Sequence, residues 1–314
     1  MTTILVAVGG NAILGRGQKA TLEDQMGNLR ATSAQIARLV RDGHEVVLTH
    51  GNGPQVGSIL LQNELAAREV PPMPLDACVA ESQGLIGYMM QQTLTEALRS
   101  EGCRNTVTCV LTRVLVDEAD EAFKAPSKPI GPYYREEEAR TLRDEKGWVM
   151  VEDRARGGWR RVVPSPRPVS IVEASAIHRL VSGGDEVVIA AGGGGVPVVE
   201  RGGRLEGVEA VVDKDLSAAC LARSARASLM VFLTDVEQVY LDYGTARQRP
   251  ISSMTADEAE KYLREGQFPP GTMGPKIEAA VRFLRSGGKR ALIAQPQCIH
   301  KALASKAGTQ ILPR

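Results

Sequence analysis

Three apolar segments rich in β-branched residues each run straight into a glycine turn. They are Ile4-Leu-Val-Ala-Val8 before Gly9-Gly10-Asn11, Glu45-Val-Val-Leu-Thr49 before His50-Gly51-Asn52-Gly53-Pro54, and Glu186-Val-Val-Ile-Ala190 before Gly192-Gly193-Gly194-Gly195. An apolar run that ends in glycines is how a buried parallel strand brings bare backbone N–H groups to the C-terminal edge of a sheet. Such groups at a helix entrance hold anions, phosphate above all. A plain strand-to-helix turn uses Gly and Asn as well, so one such turn says little. Three at comparable strand ends predict a crevice that holds several oxyanions. His50 has no acid partner evident in the sequence and reads as a structural loop histidine rather than a general base.

Three lysines stand out against this background. Of the 38 basic residues, 28 are arginine and 10 are lysine, so generic positive charge is supplied by arginine. Lys128 lies in Ala125-Pro-Ser-Lys-Pro-Ile-Gly-Pro132, Lys214 in Val212-Asp213-Lys214-Asp215-Leu216, and Lys276 in Gly271-Thr-Met-Gly-Pro-Lys276. A solvated surface charge is the commonest fate of lysine. These three sit in restricted loops, and two open helices, where the macrodipole disfavours a cation unless an anion shares the site. Phosphoryl transfer needs in-line positioning and compensation of charge on the moving oxygens, with little covalent chemistry from the protein. Lysine, a compact charge with adjustable donors, suits that task. Asp213 and Asp215 would neutralise and orient Lys214, approach a metal, or cap the helix. Gly192–Gly195 is not a dinucleotide fingerprint, because it runs into Val196-Pro-Val-Val199 instead of opening a helix. The phosphate loop G-x-x-x-x-G-K-[ST] is absent too, and no nucleophilic triad or metal-ligand cluster competes for the role.

The elements that must position these groups alternate. Helices are expected over 24–41, 55–69, from the Pro71-Pro-Met-Pro74 linker to about Ser100, up to Leu180, and over 213–227, 255–265 and 275–286. Leu29, Ile36, Leu39 and Val40 mark the buried face of the first. Leu85, Ile86, Met89, Met90, Leu94 and Leu98 mark that of the third. Besides the three segments above, strands are expected over 106–116, 229–234 and 290–294, with a closing segment at 310–312. This rhythm predicts an α/β fold of right-handed crossovers around a mostly parallel sheet covered on both faces. It breaks over 117–168, where prolines, a charged helix (135–146) and short aromatic stretches read as an inserted flap.

Composition narrows the remaining classes. With 314 residues, 43% hydrophobic, the chain is long enough for one large α/β unit or two lobes. A net charge of +1 gives no reason to expect nucleic acid or anionic lipid as a partner. No apolar stretch approaches the ~20 residues of a membrane helix, and the N-terminal residues lack the basic head of a signal peptide. Five scattered cysteines read as reduced thiols, which predicts a cytoplasmic protein.

Taken together the motifs resemble the carbamate kinases of the amino acid kinase superfamily. They are Gly9-Gly-Asn11, His50-Gly-Asn-Gly-Pro-Gln-Val-Gly57, Met73-Pro-Leu-Asp76, Ser82-Gln-Gly84, Pro126-Ser-Lys-Pro-Ile-Gly131, Arg160-Arg-Val-Val-Pro-Ser-Pro166, Gly207-Val-Glu-Ala-Val-Val-Asp-Lys-Asp215, Leu233-Thr-Asp-Val236 and Gly271-Thr-Met-Gly-Pro-Lys276. They cover almost the whole chain, and the flap with its Pro-Ser-Lys-Pro separates this family from its acetylglutamate and uridylate kinase relatives. The resemblance implies a three-layer αβα sandwich with an open, mostly parallel eight-stranded sheet and the flap as an inserted subdomain. It implies one domain over 1–314, with a carbamate-side lobe over 1–172 and a nucleotide-binding lobe over 173–314, and a homodimer. The implied reaction is ATP + carbamate ⇌ ADP + carbamoyl phosphate with Mg²⁺, usually serving ATP synthesis at the end of arginine breakdown. Lys128, Lys214, Lys276 and Asp215 would be catalytic. Gly9, Gly10, Asn11, Gly51, Asn52 and Gly53 would hold the carbamate or carbamoyl group. Gly193, Gly194, Asp213, Asp235, Tyr240, Met273, Gly274 and Lys276 would border ATP or ADP. Mg²⁺ would be bound mainly through the nucleotide phosphates rather than by protein ligands. A kinase for another small carboxylate, or a nucleotide sensor without turnover, is the alternative.

Overall fold

The computed structural model describes residues 2–15, 17–154 and 157–314, with the side chain of Asn11 outside the description. The chain opens with β1 (Thr3–Val8), whose side chains from Ile4 to Val8 are all buried. Helix α1 (Leu22–Arg41) follows, capped by Thr21, whose Oγ1 accepts from the Asp24 N–H at 3.1 Å. That cap is why the helix starts at Leu22, two residues before the expected position 24. Its expected face is buried: Leu29, Ile36, Leu39 and Val40. After β2 (Glu45–His50) come α2 (Gly53–Ala66), with Pro54 in its first turn, and α3 (Leu75–Ser100). On α3 every residue of the expected apolar face is buried except Leu85, which is 40% exposed.

The strand expected over 106–116 is two strands. These are β3 (Thr106–Cys109) and β4 (Arg113–Val116), which belong to different sheets. The cause is Gln83 of α3. Its Oε1 accepts from the Thr112 N–H at 2.9 Å, and its Nε2 donates to the Thr112 carbonyl at 3.0 Å. A side chain thus satisfies the backbone where the ladder stops, and the chain leaves one sheet for the next.

The flap is an antiparallel three-stranded sheet, order β5-β7-β6, of β5 (Lys128–Tyr134), β6 (Val149–Asp153) and β7 (Gly158–Val163), with α4 (Glu136–Lys146) between β5 and β6. Gly147, at φ 66°, ends α4 in the left-handed conformation. Next come β8 (Pro168–Ile171), α5 (Ala174–Ser182), β9 (Glu186–Ile189), β10 (Val196–Arg201) and β11 (Arg204–Gly207). Strands β11, β10, β4 and β8 form a second sheet. The chain continues through α6 (Lys214–Ser224), β12 (Leu229–Leu233), the hairpin of β13 (Val239–Leu241) and β14 (Arg249–Ile251), and β15 (Ser253–Thr255). It closes with α7 (Ala256–Arg264), α8 (Met273–Arg285), β16 (Arg290–Ala294), α9 (Ile299–Leu303) and β17 (Thr309–Leu312).

The main sheet has eight strands in the order β15-β17-β16-β12-β1-β2-β9-β3, all parallel to their neighbours except β16 and β17. Alternate residues of each strand point to opposite faces, so two cores form. Leu5, Ala7, Val47, Met230 and Phe232 pack with Leu221 of α6 and Ile277 and Phe283 of α8 on one face. Ile4, Val6, Val8, Leu48 and Val231 pack with Leu29 and Ile36 of α1 and Ile86 and Met89 of α3 on the other. This is the expected three-layer αβα arrangement. Strand β9, from the C-terminal half, lies between β2 and β3, so the two halves of the chain interleave in one sheet. The chain runs one way from β1 to β2 and the other way from β1 to β12. Ligands of open α/β sheets bind at the carboxyl ends beside such a reversal. Among the described residues no helix is long and apolar enough to cross a membrane.

Candidate active site

A cleft of about 1230 Å³ opens at the carboxyl ends of β1, β2 and β12, walled on one side by the flap. The first two glycine turns form its floor. The Gly9 N–H donates to the Leu233 carbonyl at 3.1 Å, and a Cβ at Gly9 would stand 2.8 Å from that oxygen. Only glycine lets the β1 and β12 ends approach this closely. The Gly51 N–H donates to the Val8 carbonyl at 3.1 Å. A Cβ at Gly51 would lie 3.3 Å from the Gly10 nitrogen and from the methylenes of Lys214. The two turns and Lys214 are therefore in mutual contact. Gly53 opens α2, and the buried Asn52 amide donates to Ser82 Oγ at 2.8 Å. Gly9, Gly10, Gly51, Asn52 and Gly53 all line the cleft, while the side chain of Asn11 lies outside the described residues.

The third turn packs against the second. A Cβ on Gly192 would collide with His50, one on Gly193 with Asn52, and one on Gly194 with the Val212 carbonyl. The Gly194 carbonyl accepts from Ser217 Oγ of α6 at 2.7 Å. Gly193 and Gly194 thus pack under the second turn and against the entry to α6, because β9 lies beyond β2 in the sheet, on the side away from β12. Gly193 still lines the cleft, as Tyr240 and Met273 do, whereas Gly194 does not.

The three lysines converge. Lys214 Nζ donates to Asp215 Oδ1 at 2.6 Å, and Lys276 Nζ, from the first turn of α8, donates to Asp215 Oδ2 at 2.9 Å. Lys128 Nζ, from the first residue of β5, donates to Asp213 Oδ2 at 3.0 Å. Asp213 is the N-cap of α6: its Oδ1 accepts from the N–H groups of Asp215 at 2.9 Å and Leu216 at 3.4 Å. The sequence offered Asp213 as a partner of its neighbour Lys214; the structure pairs it with Lys128 instead. Three ammonium groups face two carboxylates here, leaving one net positive charge beside the amino end of α6.

Burial sets the titration of this cluster. Burial pushes the Asp215 carboxyl up, but Lys214 and Lys276 outweigh it and hold it below the usual carboxylate range. Burial pushes Lys214 down, and Asp215 outweighs that, leaving Lys214 above the ordinary lysine value. Burial and the charge of Lys214 together leave Lys276 below it. His50 is buried and pushed down to about 4 by desolvation, so it is neutral at physiological pH. Its Nδ1 donates to the Gly51 carbonyl at 3.1 Å, while its buried Nε2 has no partner among the described residues. It is a loop-shaping residue, as its sequence context suggested.

Thr234, Asp235, Tyr240, Tyr243, Phe268 and Met273 also line the cleft. Gly274 does not line it: its N–H donates to the Pro269 carbonyl at 3.0 Å and it is buried in the first turn of α8. Arg160 is among the cleft residues that the sequence reading left out of the site. Arg160 Nη2 donates to the Gly131 carbonyl at 3.0 Å, and the guanidinium lies 5.1 Å from the Tyr133 ring centroid. Treating arginine as generic charge hid it. Strand alternation gave no signal either, because the pairing shifts register between Ile130 and Tyr134.

The model of the amino acid kinase family matches residues 2–295. The chain belongs to that family. Carbamate kinase of Pyrococcus horikoshii is 49% identical to it over 312 residues, covering 99% of both chains, and that of Trichomonas vaginalis is 48% identical over 313 residues, also covering 99% of each. The structure of carbamate kinase from Giardia lamblia bound to AMP-PNP superposes with a TM-score of 0.93 at 38% identity, covering 99% of this chain and 98% of that one. Within the family, the chain belongs with the carbamate kinases.

Proposed function

We propose that the cleft catalyses ATP + carbamate ⇌ ADP + carbamoyl phosphate. The observation that carries the reading is the pair of lysines on the two oxygens of Asp215, one from each of two helices that open onto the cleft. The acceptor would rest on the backbone N–H groups of the Gly9-Gly10-Asn11 and Gly51-Asn52-Gly53 turns, with Lys128 above it. The nucleotide would lie toward Asp235, Tyr240 and Met273. A carbamate oxygen arrives as an anion, so no proton has to be removed. It attacks the γ-phosphorus, the bond from that phosphorus to the β,γ-bridging oxygen breaks, and ADP keeps the electron pair. Lys214, touching the Gly51 turn, and Lys276, on the nucleotide side, would track the oxygens as charge moves from donor to acceptor. Fixed donors of this kind need no reorganisation at the moment of transfer.

Magnesium belongs to the proposal as part of the nucleotide substrate. Both oxygens of Asp215 and of Asp213 already accept hydrogen bonds, and among the described residues no cluster of His, Cys, Asp and Glu is spaced to hold a metal. The ion would be carried on the phosphates and would neutralise their charge. The ATP-forming direction in arginine breakdown, a cytoplasmic location and the division into lobes over 1–172 and 173–314 are part of the same reading. So is a homodimer. Support for the latter is the face of α3 carrying exposed Leu85 and Tyr88, with exposed Leu111 just beyond the edge strand β3.

Mixing the protein with carbamoyl phosphate, ADP and Mg²⁺ should yield ATP. No ATP above a heat-inactivated control would overturn the assignment. ATP formation only from a larger acyl phosphate would move it to another carboxylate kinase.

A further inference from the structure

We propose that Asp213 is the positioning residue for Lys128, and that it acts through the flap rather than on the nucleotide. The inference rests on the kinase reading above. Its basis is the division of labour between two oxygens of one carboxylate. Oδ1 caps α6 by accepting from the Asp215 and Leu216 N–H groups, which fixes the χ angles of Asp213 to the helix that carries Lys214 and Asp215. Oδ2 is thereby aimed across the cleft at Lys128 Nζ, 85 residues away in sequence and 3.0 Å away in space. Among the described residues this is the one hydrogen bond that the Lys128 ammonium donates. The pair is mostly shielded, with side-chain exposures of 32% for Lys128 and 16% for Asp213. A lysine stem has four rotatable bonds, and its ammonium has no preferred direction of its own. The backbone of Lys128 is set by its flanking Pro129 and by pairing with Val163, but no described residue of the flap holds its head. Asp213 does, and it refers that head to the same helix turn that holds the Lys214–Asp215–Lys276 cluster. The three cations are thus registered to one another although they come from a flap strand and two separate helices.

Asn and Ser cap helices about as well as Asp, so Asp213→Asn and Asp213→Ser keep the cap while removing the charged oxygen that faces Lys128. Three measurements decide the matter. The first is the rate of acetylation of Lys128 by a water-soluble acyl ester, read by peptide mass spectrometry with exposed Lys124 as internal standard. It should rise severalfold in both variants relative to wild type. The second is steady-state kinetics. In both variants kcat should fall about tenfold, the scale of one charge-assisted hydrogen bond, with KM for ADP unchanged and Tm within a few degrees of wild type. The third is the double variant: in a Lys128→Ala background, Asp213→Asn should cause no further loss.

Unchanged Lys128 labelling overturns the proposal. So does a higher KM for ADP, which would make Asp213 a nucleotide residue, or multiplicative losses in the double variant. A faster Asp213→Asn enzyme would make the pair a competitor for Lys128 rather than its guide, and overturns it too. If wild type makes no ATP from carbamoyl phosphate, the kinase reading fails separately. The labelling comparison still decides whether Asp213 holds Lys128.

Discussion

Asp215 and Lys276, 61 residues apart, meet at 2.9 Å in a site where Lys214 already occupies the other oxygen of the same carboxylate. Two largely shielded ammonium groups would repel each other without it, and Asp215 is only 4% exposed. Removing it should therefore damage both folding and turnover. Leaving a buried charge unpaired costs about 3–5 kcal/mol, so Asp215→Ala should lower Tm by several degrees. Turnover should fall at least ~100-fold, the scale of losing one preorganised electrostatic contact. Asp215→Asn should show the kinetic loss with a smaller loss of stability. Because the folded carboxyl is held below its unfolded value of about 3.9, the stability it confers is present above that pH and is lost as pH falls through the folded value. Wild-type Tm should drop more steeply below pH 4 than that of Asp215→Asn. Near-normal kcat in either variant would remove Asp215 from the transfer machinery.

What could be read from residues alone follows from how local the causes are. The parallel strands were legible because Ile4–Val8, Val46–His50 and Leu229–Leu233 are buried on both faces, and burial on both faces leaves a continuous apolar run. The break at Thr112 was not, because Val110 and Leu111 continue the apolar run and its cause, Gln83, belongs to a different helix. Lys214 and Lys276 were legible because their setting conflicts with the helix dipole, and Lys128 because prolines restrict its loop. Asp215 was legible as a partner of Lys214, but the partner of Lys128 was not. Adjacency pointed Asp213 at Lys214, whereas the cap turns its second oxygen to the flap. The glycines of 192–195 announced an unusual backbone, but which neighbours crowd them depends on the order of β2 and β9 in the sheet.

The two lysines on Asp215 should lose their protons in a definite order. Lys214, at the shorter distance, is held above the ordinary lysine value by Asp215, while burial and the Lys214 charge hold Lys276 below it. The first proton to leave the cluster as pH rises belongs to Lys276. Activity should therefore show an alkaline limb below the usual lysine value of about 10.4. In Lys214→Met the repelling charge is gone, so the limb in the residual activity should move to higher pH. A limb that stays in place, or moves down, would mean that Lys276 does not report it.

His50 should govern acid stability without governing catalysis. Its folded value, pushed down to about 4 by complete burial, lies below the ordinary 6.5. Between those values the folded protein binds fewer protons than the unfolded chain, so stability falls as the solution is acidified through that window and levels off below about pH 4. A shift of this size corresponds to roughly 3 kcal/mol. His50→Asn keeps a side-chain N–H able to donate to the Gly51 carbonyl but has nothing to titrate. Its plot of Tm against pH should be flatter than that of wild type between pH 6.5 and 4, and kcat at neutral pH should stay within a few-fold. If the two plots run parallel, His50 is not held neutral. If kcat collapses in His50→Asn while Tm does not, the imidazole acts on the reaction and not only on the shape of the Gly51 turn.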